Sequence, residues 1–165
     1  MSKIKVADFY YGAVLSMLFN NHINPALVES DENRRIYDLT TNSGDCRLYI
    51  KYRADKQNNK TEDYNSWQFV FTKSEINELK DYIERGFNLS MALVCGVEGF
   101  TDSEIATLDK GQIEKILSRN KESISISRKK SERAYRISLG GGRTAAMKVK
   151  ANRFEDIFIN CSEVI

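Results

Sequence analysis

The sequence is short of the residues that most often mark a catalytic or metal-binding protein. Its single histidine, His22, and its three cysteines, Cys46, Cys95 and Cys161, stand at unrelated spacings that make no zinc pattern and no CxxC pair. No Gly-x-Ser-x-Gly and no plausible Ser-His-Asp set is present, and with only His22 available nucleophilic catalysis through histidine is not expected. An odd number of cysteines argues against a disulfide framework and for a reducing compartment, so the expected location is cytoplasmic. One proline and nine glycines exclude long linkers and low-complexity tracts, and no repeat period is present. The apolar run over 9–19 is too short to span a bilayer, and no small-x-small cleavage site follows it. Neither a membrane span, a signal peptide nor a cofactor is expected.

What is present is an ordinary globular composition. A chain of 165 residues with 41% hydrophobic and 29% charged side chains reads as one domain over 1–165. Within it, 1–117 reads as an α/β core and 118–165 as a basic β-hairpin extension. The organising stretch is 89–97, Leu-Ser-Met-Ala-Leu-Val-Cys-Gly-Val. It has the length of a strand, and its apolar residues fall on both pleat faces, so it predicts a central strand covered on both sides.

The elements around it follow from periodicity. Apolar residues at i, i+3 and i+4 predict a helix over 4–19 covered on more than one side, ended by Asn20-Asn21-His22 and Pro25. In it, the Tyr10-Tyr11 pair reads as core and rim packing. Strands are predicted over 34–41 and 46–53, joined by the turn signal Asn42-Ser43-Gly44-Asp45. In the second of these, Leu48 and Ile50 face the core, while Arg47, Tyr49, Lys51 and Arg53 form a cationic stripe on the other face. Residues 54–66 read as a polar, mobile loop and 67–72 as a third strand. A capping box, Thr72 with Glu75, opens a helix whose apolar face is Ile76, Leu79, Tyr82 and Ile83, with Gly86 at its end. Beyond 89–97, residues 104–108 predict an antiparallel neighbour, and Asp109 caps a short helix through Leu117. Strands follow over 123–128, 134–138 and 145–150, and Phe154, Ile157 and Phe158 dock a terminal turn on the core. The predicted class is α+β: a twisted, mostly antiparallel sheet packed by two long helices and extended by the basic β-rich C-terminal part.

Charge is unevenly distributed. Residues 118–153 hold eleven Lys/Arg against two Glu, whereas the whole chain carries only +2. Cations gathered on one hairpin face suit phosphate contacts. The expected nucleic-acid-binding residues are Arg128, Lys129, Lys130, Arg133, Arg136, Lys148 and Lys150. Arg47, Lys51 and Arg53 offer a second patch, and Tyr135 a ring for base stacking. The same cations would also suit an acidic protein partner, in a protein–protein interaction subunit of a bacterial assembly. Cations on outer strands also block edge-to-edge pairing without any ligand. Gly140-Gly141-Gly142-Arg143-Thr144 lacks the spacing of a P-loop and leads into a strand pattern, so it reads as a turn.

The order helix–strand–strand–strand–helix–strand over 4–97 is similar to the core of restriction-endonuclease-like, PD-(D/E)xK, folds. That resemblance implies an Asp on one strand and Glu-x-Lys on the next, two carboxylates holding magnesium and a lysine positioning water. Asp38 and Lys51 stand in for the first and last members. Tyr49 occupies the place of the second carboxylate. In the alternative register Asp45 is the acid, and Trp67-Gln68-Phe69 supplies no lysine. The motif is incomplete in both registers. A second resemblance, carried by Tyr49-Ile50-Lys51-Tyr52, Trp67 to Thr72, Ala92 to Gly96, Ser127-Arg128, Tyr135-Arg136 and Asn152-Arg153-Phe154, is to uncharacterised bacterial proteins of similar length, and implies no activity. The reading is a non-catalytic nucleic-acid-binding or nuclease-like module. The interaction subunit comes second, and a metal-dependent nuclease using Asp38, Asp45 and Lys51 third.

Overall fold

The structure, a computed structural model, describes residues 1–41, 44–57, 63–139 and 145–155. The element order is α1 (Val6–Asn20), β1 (Pro25–Ser30), β2 (Arg35–Thr41), β3 (Gly44–Arg53), β4 (Tyr64–Val70), α2 (Lys73–Glu84), β5 (Leu89–Cys95), β6 (Glu104–Leu108), α3 (Lys110–Leu117), β7 (Ser123–Lys129), β8 (Ala134–Ile137) and β9 (Met147–Lys150). The class is α+β, and most strand pairs are antiparallel.

The strands divide into two sheets, ordered β1-β2-β3-β5-β6 and β4-β7-β8-β9. In the first sheet only β3 and β5 run parallel, joined by the long connection through β4 and α2. The run at 89–97 supplies β5, every residue of which is buried between β3 and β6. Its pleat feeds two cores. Leu89, Met91, Leu93 and Cys95 pack with α2, α3 and the second sheet, while Ala92 and Val94 pack beneath α1.

Several details depart from the periodicity. The strand predicted at 67–72 begins earlier, at Tyr64, inside the stretch read as a loop, and it leaves the first sheet to pair with β7. The C-terminal strands therefore build on β4 instead of extending the first sheet. The first sheet gains instead an edge strand, β1, beside β2, which the residue pattern does not predict. Pro25 opens that strand at the sheet edge, where its missing N–H costs no ladder bond, and five of its six residues are exposed. Helix α1 is covered on one side only: Tyr10, Tyr11, Val14 and Leu18 are buried, but Val6, Phe9 and Phe19 are about half exposed.

Local signals hold at the helix ends and in the tight turns. Thr72 and Glu75 form the capping box of α2, and Asp109 with Gln112 that of α3. Gly86 takes φ +85° after α2, a conformation that favours glycine. Gly96 is required by close approach, since a Cβ there would stand 2.6 Å from the Arg53 carbonyl and 2.6 Å from the Tyr10 hydroxyl. The Gly96 carbonyl accepts a 2.8 Å hydrogen bond from the indole of fully buried Trp67. Cys46 and Cys95 are buried, and Phe154 packs in the core cluster beneath α1 as expected. Cys161, Ile157, Phe158 and the glycine turn at 140–144 lie outside the described residues. Among those described, no helix is long and apolar enough to cross a membrane.

Candidate nucleic-acid interface

The alternation of β7 sends Ile124 and Ile126 inward and places Ser123, Ser125, Ser127 and Lys129 on the other face, where Ser127 is itself buried and Lys129 exposed. The register extends that outward face over the whole second sheet. Ser66 of β4 stands opposite Ser127, Ser127 opposite Arg136, and Arg136 opposite Lys148. In the next row of the last pair, Ala134 stands opposite Lys150. Facing side chains in such pairs lie about 5 Å apart at Cβ, so Arg136 and Lys148 are like charges side by side. Glu132 relieves Arg136 with a 3.0 Å ion pair. Lys130 and Arg133 sit exposed beside the turn that joins β7 to β8. Among the described residues Lys129, Lys130, Arg133, Lys148 and Lys150 are exposed and form no ion pair.

Arg128 is different. It lies on the inward side of β7, where its Nε donates to Glu104 at 2.7 Å. Its Nη1 donates to the carbonyls of Lys129, Lys130 and Glu132. The hydrogen bond to Glu104 raises its pKa further, so it stays cationic and ties the basic turn to β6. Tyr135 is buried and donates to the same Glu104 oxygen at 2.9 Å. Burial pushes its phenol up. A ring in that position does not stack on a base, which corrects the expectation for Tyr135.

The proposed second patch is also corrected. Helix α2 covers the β3 face that alternation left to Arg47, Tyr49 and Lys51. Lys51 is 5% exposed, and its Nζ meets Glu75 at 2.5 Å. Tyr49 donates to the same Glu75 oxygen at 3.2 Å, and burial pushes its phenol up. Arg47 makes a two-bond fork to Asp38 at 2.8 and 2.9 Å and lies over the rings of Tyr82 and Phe87. Arg34 is buried against Glu78, with Asp31 and Glu29 beside it. Of the stripe only Arg53, at the strand end, is exposed.

Asp38, Asp45 and Lys51 share that sheet face but do not converge. Asp38 stands opposite Arg47, and Lys51 is four residues further along β3, about 13 Å at strand rise. Asp45 is exposed near the other end of β3, opposite Thr40. The carboxylate that reaches Lys51 is Glu75, which the sequence marks only as a helix cap. A signal for it existed: Glu75, Leu79 and Tyr82 recur at helical spacing, which places an acid in the apolar stripe of α2. Among the described residues no group of three or more His, Cys, Asp or Glu side chains could hold a metal ion. Set against known proteins, the chain matches no family model, no curated protein and no solved structure.

Proposed function

We propose that the chain binds nucleic acid without cutting it, through the outward face of the β4-β7-β8-β9 sheet and the adjoining turn. The observation that carries this reading is the row Ser66, Ser127, Arg136, Lys148 with its neighbours Lys129 and Lys150. Ser66 and Ser127 are short and buried on that face, Arg136 is paired with Glu132, and Lys129, Lys148 and Lys150 stand exposed beside them with no ion pair among the described residues. Such a surface offers charge and hydrogen bonds to a phosphate backbone and little to base edges, so recognition is of the backbone and weakly sequence-dependent. Arg128 serves by holding the turn in place. The nuclease-like scaffold stays part of the same proposal on the order α1, β2, β3, β4, α2, β5, although β1 intervenes after α1 and β4 pairs in the second sheet. At the position where the resemblance needs its second carboxylate stands Tyr49, bonded to Glu75.

Fluorescence polarisation of labelled duplex and single-stranded oligonucleotides tests the proposal. Binding is expected at about 50 mM salt. For five phosphate contacts on duplex it should fall a few hundredfold, roughly, by 200 mM through counterion release. Absence of binding at the lower salt overturns it. Magnesium-dependent cleavage abolished by Lys51→Ala would establish the nuclease instead. Capture of an acidic protein that survives nuclease treatment, with no oligonucleotide binding, would establish the interaction subunit.

A further inference from the structure

On the far side of the first sheet, α1, β6 and the segment after β9 enclose a cleft of about 490 Å³. That volume lies within the range of small-molecule sites, roughly 300–1,000 Å³. We propose that this cleft binds a small organic cation, a protonated amine carried on an apolar or aromatic body. The nucleic-acid reading touches this surface only at Glu104, which anchors Arg128.

The apolar part of the argument starts from α1. Its fifteen residues include one charge, Asp8, so it is apolar almost all round. A helix of that kind is ordinarily covered on every side. Here one side is buried, and the side that faces the cleft is not. Phe9 is 47% and Phe100 40% exposed, and their rings stack with centroids 4.6 Å apart. With Met17 and Ile105 they make a wall that an apolar body would cover.

The polar part is Glu104. Arg128 and Tyr135 both donate to its Oε1, at 2.7 and 2.9 Å. These two bonds hold the carboxylate in one orientation at the cleft. Its Oε2 accepts no hydrogen bond from the described residues. Glu155 stands at the same cleft, and no lysine or arginine lines it, although the chain holds 25 of them. Arg128 already pairs with Glu104 through Oε1, so the negative charge left at the cleft is that of Glu155, with Oε2 of Glu104 as a further acceptor. Aromatic faces beside that charge and acceptor select a positively charged ligand, through cation–π attraction and a charge-assisted hydrogen bond.

The test is calorimetric titration of the full chain with tryptamine, and with its neutral and anionic counterparts, indole-3-ethanol and indole-3-acetate. Tryptamine should bind saturably and at least tenfold more tightly than the alcohol, and the acid should not bind. Ala13→Trp, on the exposed side of α1 at the cleft, fills the site without touching the core and should weaken tryptamine tenfold or more. Glu104→Gln should bring amine and alcohol to equal affinity. Should that variant fail to fold, the Ala13→Trp result and the amine-to-alcohol ratio still decide. Equal binding of amine and alcohol by the unaltered chain, no saturable binding of tryptamine, or indifference to Ala13→Trp overturns the proposal.

Discussion

Lys51 and Lys148 occupy the same kind of position, a strand residue whose neighbours along the chain point the other way, and they have opposite fates. Lys51 lies under α2 against Glu75, 5% exposed. Lys148 is exposed, with no ion pair among the described residues. Alternation assigns a face; it does not say what lies over that face. In the first sheet a helix bearing Glu75 and Glu78 covers the cations and turns them into structure. In the second sheet Lys129, Lys148 and Lys150 stay exposed, with no ion pair among the described residues.

The largest expected effect separates these two roles. Lys51→Met should destabilise the fold by about 3–5 kcal/mol, because Glu75 remains buried with only Tyr49 and its cap contacts. Urea denaturation measures it. Adding Glu75→Leu should restore much of the stability, and a cost below about 1 kcal/mol for the single variant would place Lys51 with the exposed group.

Next in size is the alkaline limb of stability. Burial pushes the phenols of Tyr11, Tyr49 and Tyr135 above the ordinary value of 10. Below that value both states hold these protons, and the stabilisation is fully present. Above it the unfolded chain releases protons that the folded chain keeps, so stability falls as pH rises. The slope should be about 1.4 kcal/mol per pH unit for each tyrosine. Unfolding free energies from denaturation curves should show that slope developing from about pH 10 upward, and a flat profile there would mean that the rings are hydrated.

Arg128 sharpens the contrast from within the basic segment. Arg128→Ala should cost about 1.5–3 kcal/mol, since it removes charge-assisted bonds to Glu104 and to the turn carbonyls. Thermal unfolding shows it. The smallest effect belongs to Lys148→Gln and Lys150→Gln, expected to change stability by less than about 0.5 kcal/mol in the same measurement.

The local features of this molecule were legible from residue order. The capping residues Thr72 and Asp109, the buried run of β5 and the alternation of β7 depend on neighbours a few positions away. The α+β class follows from them. The division into two sheets was not legible, because it depends on β4 pairing with β7, whose residues lie more than fifty positions downstream. Strand β1 was hidden by a proline that also serves as a helix stop. At the site, the outward cations were legible wherever nothing packs on them. Arg128 and Tyr135 were misplaced because their shared partner, Glu104, sits in a strand of the other sheet. Lys51 was misplaced because its acid arrives on a helix.

The central claim is that the outward cations of the second sheet exist for a polyanion. It is tested most directly by the salt dependence of duplex binding, compared between the unaltered chain and a Lys129→Gln, Lys148→Gln, Lys150→Gln variant. The account predicts an unchanged fold and a slope of log affinity against log salt shallower by about 2.7, from roughly 0.9 for each phosphate that the variant no longer neutralises. The same affinity and the same slope in both proteins would contradict it.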